Sequence, residues 1–504
     1  MTDADRYAAF DVLQRSMPAV WADIRRDHPD ESVVVVPSVS LEMTTASTGT
    51  LMQAMEERAL FQLLLLSQPR LRMIFVTSQP VPEEVVEYYL GLLPTVITSH
   101  ARARLTMVSV GDASPVALST KLLARPRLLR HLRSLIPNPA RCHLIPYVTT
   151  ELERDIAVTL GIPMYAADPR LAPLGSKSGC RRMFEDLGVP CPAGAQDLRT
   201  VDDLVEAITA LRRNHPEATQ LIVKINEGVS GSGNALLDVA QVPAEVGAAA
   251  DALPRLEPEA PGLSVADFLA TFTRYGGVVE QRITGAGLAS PSVQLRVLPD
   301  GEVELLSTHD QLLGGPSGQS YVGCIFPADP AYSQLISAPA LTIGRHLAGL
   351  GVMGRFAVDF VVVREEDGWR AYAIELNLRK GGTTHPFLTL QFLTDGEYDD
   401  GAGAFLTPSG AAKHLVATDH LEDDRLRALT VTDLFDLVAR RRLHFDQSRQ
   451  TGVVFHMLTC VTECGRLGLT AIGDSADEAW QLYEQAQTVL LAEAEEARSP
   501  QALA

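Results

Sequence analysis

A chain of 504 residues, 46% hydrophobic and 21% charged, has the composition of an ordinary globular protein and the length for two to four domains with sizeable cores. Its formal net charge of −19 argues against a nucleic-acid or anionic-membrane surface, because phosphate-rich partners need a basic footprint, although local basic pockets remain compatible with it. No apolar run nears the ~20 residues that span a bilayer, the first residues are acidic without an apolar signal stretch, and the six cysteines are scattered with no C-x-x-C pair, so the expectation is a soluble cytoplasmic protein with reduced thiols.

From Ser32 to about Ala167, apolar strands and helical stretches alternate. Residues 33–36, 72–77, 105–110 and 143–147 read as strands, with helices over 51–67, 82–93 and 125–135 between them. Alternation of this kind predicts a mostly parallel α/β sheet. Ligands of such sheets gather at the carboxyl ends of strands, here Ser38, Thr77, Ser78, Asp112 and Tyr147. Taken singly, each of these reads first as a loop residue.

Lysine is scarce: only Lys121, Lys177, Lys224, Lys380 and Lys413 occur. Where Arg serves for surface charge, a retained Lys is a candidate for its compact ammonium. Lys177 opens a helix that ends near Gly188, and helix amino termini favour anions. A solvated lysine at a helix start is the plain alternative. Leu221 to Glu227 is an apolar strand interrupted by Lys224, and Gly228, Ser230, Gly231, Ser232 and Gly233 follow closely. Glycines let backbone approach phosphate oxygens with N–H groups pointing inward, so loop and lysine read together as a phosphate cradle. The loop lacks a G-K-[ST] ending and is not a Walker A sequence; without Lys224 it would read as a hairpin connection.

Gly277 to Ile283 is a strand ending in polar residues. Residues 292–298 and 302–307 form a hairpin about Pro299-Asp300-Gly301, with Gln294 and Arg296 on one face. These two side chains read as facing an acyl substrate or its developing phosphate, or else as polar groups on a sheet surface. A helix over 338–347 leads to a second hairpin.

That hairpin, within residues 355–386, concentrates the chemistry. Phe356 to Val363 and Trp369 to Leu378 are strands joined by Glu365-Glu366-Asp367-Gly368. A turn centred on Asp367 puts Asp359 opposite Glu375, with Asn377 on the same face and Tyr372, Ile374 and Leu376 towards a core. Opposed side chains lie ~5 Å apart, where like charges repel. Two carboxylates and an amide at that spacing ask for a cation, and hard oxygen ligands suit Mg²⁺. A one-residue slip would separate the pair, and the hairpin alone reads equally as acidic residues facing water.

The text that follows extends the reading. Glu375-Leu-Asn377-Leu-Arg379, then Lys380, Gly381, Gly382 and His385-Pro386, resembles the metal site of the ATP-grasp ligases. The wider text, from THDQLLGGPSGQ to IELNLRKGGTTHP, resembles the pheganomycin-type peptide ligases of that superfamily. The resemblance implies a pre-ATP-grasp α/β domain over 1–168, an ATP-grasp nucleotide part over 169–285, a metal and substrate part over 286–400, and a small C-terminal α+β unit over 401–504. It implies ATP and Mg²⁺ as cofactors, Asp359, Glu375 and Asn377 as metal ligands, and Lys177 and Lys224 on nucleotide phosphates. Ser176 stands where relatives often carry Asp. Glu280 would take the adenine amine, with backbone groups of Gln281 and Ile283 beside it. The acidic ribose contact common in relatives is missing, Gly285 to Leu288 standing there instead. Arg379 and Arg296 would act on the transferring phosphoryl group.

The implied reaction joins a carboxylate acyl donor to an amine or peptide acceptor through an acylphosphate; a homodimer is compatible with it. The alternatives are a ligase of free amino acids or of a non-peptide amine, or an ATP-binding module without catalysis. Beyond Leu390, helices over 432–444 and from 475 onward flank strands at 451–458 and 467–472. His456 reads as a satisfied core histidine rather than a ligand.

Overall fold

The computed structural model describes residues 1–24, 31–40, 48–227, 233–260, 262–314, 318 and 320–498. Its first sheet is fully parallel, in the order Leu105–Ser109, Arg72–Thr77, Ser32–Val36, Cys142–Pro146. Val33, Val35 and Phe75 enter one core while Val34, Val36 and Ile74 enter another. Burial on both faces is why these strands are continuous apolar runs. The helix expected over 51–67 is an α-helix, Gly49–Glu57, followed by a 3₁₀ segment, Arg58–Ser67. In that segment Arg58 to Leu64 are all buried, so surrounding contacts rather than one amphipathic stripe dictate its path.

Two helices at the amino terminus, Asp3–Gln14 and Met17–Ile24, were not legible as part of this domain. The first is opened by a capping box of Thr2 and Asp5, and its Gln14 side chain donates to the Met164 carbonyl at 3.0 Å.

The second sheet is antiparallel, in the order Gly194–Leu198, Gly277–Gln281, Gln220–Ile225, Asn234–Asp238, Glu257–Pro258. Helices Val201–Asn214 and Val265–Tyr275 contribute Leu204, Ile208, Phe268 and Phe272 to its core.

The third sheet has eight antiparallel strands: Gly368–Asn377, Gly354–Glu365, Pro291–Val297, Val303–Gly314, Ser320–Phe326, His414–Glu422, Arg466–Gly473, Gly452–His456. The C-terminal strands His414–Glu422, Arg466–Gly473 and Gly452–His456 therefore extend the sheet that holds the hairpin, while Ala404–Leu406 pairs separately with Glu397–Asp399. The final helix, Ala476–Arg498, is opened by Ser475, whose hydroxyl accepts from the Glu478 N–H at 3.2 Å. No helix among the described residues is long and apolar enough to cross a membrane.

The hairpin differs from the simple pairing drawn from its sequence. Glu365 pairs with Gly368, so the turn is Glu366-Asp367 and its centre falls half a residue short of Asp367. Without correction that slip would set Asp359 against Ile374. A β-bulge between Asp359 and Phe360 leaves Ile374 unpaired and returns Asp359 to Glu375. Between the turn and the bulge, the half-residue shift of the turn inverts the expected faces. Ala371 and Ala373, not Tyr372 and Ile374, enter the core with Phe360 and Val362, while Leu376 beyond the bulge enters it as expected.

Candidate active site

Three adjacent strands place Ser292, Asp359 and Glu375 in one row, with Asn377 two residues further along the Glu375 strand. Asp359 is held from both sides: Gln311 Nε2 donates to Oδ1 at 3.0 Å and Asn377 Nδ2 to Oδ2 at 2.9 Å. Burial pushes the Asp359 carboxyl up to about 6, and the facing Glu375 adds to the shift. Burial would raise Glu375 too, but Lys177 and Arg379 hold it below the ordinary carboxylate value. Lys177 Nζ lies 2.5 Å from Glu375 Oε1.

Lys177 is the first residue of the helix Lys177–Asp186. Ser176 is its N-cap, accepting from the Gly179 N–H at 3.0 Å, and the Ser178 N–H donates to Asn226 Oδ1 at 3.0 Å. The residue that replaces the common Asp thus does a cap's work, fixing the helix end that aims Lys177. Gly179 is needed there, since a Cβ would stand 2.0 Å from the Pro173 carbonyl oxygen.

Lys224 and Glu280 lie on neighbouring strands two residues off direct opposition, on the same face, Ile222 being paired with Glu280. Lys224 Nζ is 2.5 Å from Glu280 Oε2, and Arg181 Nη1 is 2.9 Å from Oε1. Despite full burial, which opposes ionisation, these two cations keep the Glu280 carboxyl below its usual value. Glu280, expected on the adenine amine, is here the group that holds Lys224 and Arg181 in place. The Gln281 N–H donates to the Ala193 carbonyl at 2.7 Å. Gly233 survives as the described end of the glycine loop, its carbonyl accepting from the Ile225 N–H at 2.9 Å. Gly228, Ser230, Gly231 and Ser232 lie outside the described residues.

Arg379 follows the hairpin and its charge reaches both Asp359 and Glu375. Arg296 is not brought to them. It is paired across the strands with Glu304 and ion-paired to it, and it sits opposite Arg355. Four residues separate it from Ser292 along the strand, roughly 13 Å. Gln294 is buried and donates to Ser292 Oγ at 3.2 Å. Of the strand-end residues, Ser38, Ser78 and Asp112 are bonded within the first domain, to Ser40, Glu56 and Arg125. Tyr147, also within that domain, accepts from Arg58 Nη2 at 2.7 Å. The sequence reading missed Arg181, which lies one helical turn beyond Lys177 on the same face; the i, i+4 spacing was the available signal. His456 is buried against His385, Nε2 to Nε2 at 3.1 Å, as a core histidine would be.

An antiparallel lysine-bearing sheet facing a carboxylate hairpin on a second sheet defines an ATP-grasp architecture. Residues 169–256 and 264–400 match the family described as IQCH-like, ATP-grasp, and residues 433–486 match the PGM1 C-terminal domain. The chain carries an ATP-grasp domain. Over 450 residues it is 28% identical to the L-propargylglycine–L-glutamate ligase of Streptantibioticus cattleyicolor, covering 86% of this chain and 89% of that protein. It is also 28% identical over 355 residues to IQ motif-containing protein H of Danio rerio, covering 60% of this chain but only 33% of that longer protein. Among solved structures, the ADP complex of N5-carboxyaminoimidazole ribonucleotide synthetase superposes with a TM-score of 0.52 at 12% identity, covering 93% of this chain and 98% of that one. Biotin carboxylase of Campylobacter jejuni, solved with a β,γ-ATP ligand, gives 0.54 at 12% identity, covering 94% and 96%. At these identities the structural likeness speaks for the fold.

Proposed function

We propose that the protein is an ATP-dependent carboxylate–amine ligase that activates a carboxylate as its acylphosphate, makes an amide bond, and releases ADP and phosphate. The observation that carries this reading is the row of Asp359 and Glu375, with Asn377 on the same face and Lys177 fixed on Glu375. The donor set fits Mg²⁺: two carboxylates and an amide oxygen are hard ligands, and the raised Asp359 marks a pair whose repulsion a cation relieves. When bound there, the ion would neutralise phosphate charge.

The remaining work falls to this chain's own groups. Lys177 and Lys224 are each held by a carboxylate, so both ammonium groups are oriented before nucleotide arrives. ATP phosphates offer them oxygens in exchange, beside the glycine loop that ends at Gly233. Arg379 presents a planar fork to the tetrahedral oxygens of the transferring phosphoryl group and the acylphosphate. Positioning and charge neutralisation suffice for phosphoryl transfer, so no side-chain nucleophile is called for. The amine then attacks the mixed anhydride carbon, forming the C–N bond as phosphate leaves.

The relative whose name joins an amino acid to glutamate supports amino-acid substrates and, more finely, a peptide-forming subtype. The test uses an ¹⁸O-labelled carboxylate substrate found by mass-spectrometric screening of acid and amine pairs with Mg-ATP. Label is expected in released phosphate. Label in AMP, with pyrophosphate as coproduct, would overturn the acylphosphate route.

A further inference from the structure

The two carboxylates of the metal row are held by different kinds of partner. Glu375 takes an ammonium, Lys177, at 2.5 Å. Asp359 makes no ion pair among the described residues and is held by neutral donors instead. Gln311 Nε2 reaches its Oδ1 at 3.0 Å, Asn377 Nδ2 reaches Oδ2 at 2.9 Å, and the Ser292 hydroxyl adds a further bond. Neutral donors orient a carboxylate without cancelling its charge, so Asp359 keeps its attraction for a cation. Each carboxylate oxygen has two lone-pair sites, and an amide on one leaves the other free. With Nδ2 spent on Asp359, Asn377 has its amide oxygen left for the same ion.

Asn377 belongs to the metal ligands themselves, whereas Gln311 comes from further off. It lies on Val303–Gly314, and the strand Pro291–Val297 runs between it and the strand that bears Asp359. The bond therefore spans two strand spacings, roughly 10 Å. The backbone from which Gln311 reaches is fixed on both sides. Its N–H donates to the Ser290 carbonyl at 3.1 Å, and Cys324 is its pairing partner on the next strand. A clamped backbone cannot shift to help the side chain, so the length of glutamine decides whether the amide arrives. An asparagine there would fall short by a methylene.

We propose that Gln311 is a positioning residue of the metal site, one that fixes the rotation of the Asp359 carboxylate and thereby sets the affinity for a divalent cation. The proposal rests on the metal row of the ligase reading and adds to it a residue that is not itself a ligand. Gln311 acts on the cation through Asp359 alone, so metal-free nucleotide does not depend on it. Partners that orient a metal ligand are worth about 10–100-fold in metal affinity.

The probe is Mn²⁺, whose binding to the full chain in the presence of ADP is read by electron paramagnetic resonance. Calorimetry with ADP in EDTA gives the metal-free nucleotide affinity, and circular dichroism and Tm report the fold. Gln311→Met keeps the length but loses the donor, and is expected to weaken Mn²⁺ by about 10–100-fold. Metal-free ADP affinity and Tm should stay near native. Gln311→Asn should weaken Mn²⁺ as much, because its amide no longer reaches Asp359. Native Mn²⁺ affinity in either variant overturns the proposal. So does a matching loss of metal-free ADP affinity, which would mark a role in the fold. A native chain that binds no Mn²⁺ overturns the metal row and this proposal together. Weakened Mn²⁺ in both variants, beside a native chain that forms no ADP from any acid and amine pair, condemns the ligase reading and leaves the role of Gln311 standing.

Discussion

Two groups of cations in this protein are held in opposite ways. Lys177, Lys224 and Arg181 each rest on a carboxylate, at 2.5, 2.5 and 2.9 Å. Arg355 and Lys380, by contrast, make no ion pair among the described residues. A paired cation keeps its direction and its charge while the site is empty, and on the proposed reading an incoming phosphate would replace the acid. An unpaired, buried one is held at a cost, which burial and the charge of Arg355 impose on Lys380.

Breaking the paired side at its metal end should have the largest effect. Glu375→Gln removes one hard anionic ligand and the partner of Lys177, and is expected to lower kcat/KM by about 10³ or more while circular dichroism stays native. Full turnover at ordinary Mg²⁺ would contradict the metal row. Arg379→Lys keeps the charge but loses the fork; a fall of about 10² in kcat with little change in ATP KM is expected, and equal losses in both would assign Arg379 to ground-state binding instead.

Lys224→Ala should weaken ATP binding about tenfold by titration calorimetry, with Lys224→Arg recovering only part. It also strips Glu280 of one cation, leaving a buried carboxylate with Arg181 alone, so Tm should fall too. Unchanged nucleotide affinity in both variants would reduce the lysine to a structural ion pair. The smallest effect sharpens the contrast from the unpaired side. The Lys380 ammonium is depressed to about 7 in the folded chain, against ~10.4 unfolded. Between these values the unfolded state binds more protons, so unfolding free energy should rise with pH from about 7 to about 10, by roughly 1–3 kcal/mol. Lys380→Met should flatten that rise in denaturant titrations across the window. A wild-type curve without the rise would mean that the ammonium is not strained.

Much of this was legible in the chain. The parallel sheet followed from unbroken Val-rich runs, and the lysines stood out because Arg serves elsewhere. The opposition of Asp359 to Glu375 was reached from a turn centre that is off by half a residue, and the bulge at Ile374 supplies the difference. Alternation alone carries no signal for that extra residue, since Tyr372, Ala373 and Ile374 are each acceptable on either face. Pairing by Glu304 removes Arg296 from the site, and it depends on a neighbouring strand's register. Arg58 meets Tyr147 across 89 residues, and Lys380 meets Pro146 across 234, separations that no local pattern records.

The eight-stranded sheet has a consequence for the order of synthesis. Ser320–Phe326 pairs on one side with Val303–Gly314 and on the other with His414–Glu422. On the ribosome, that strand must wait, one edge bare, for some ninety residues before its neighbour is translated. Gly323 has its carbon against the Ala417 backbone, where a Cβ would come within 2.3 Å of the carbonyl oxygen, so the late strand seats closely. A chain ending before His414 would keep that edge open for another copy to occupy.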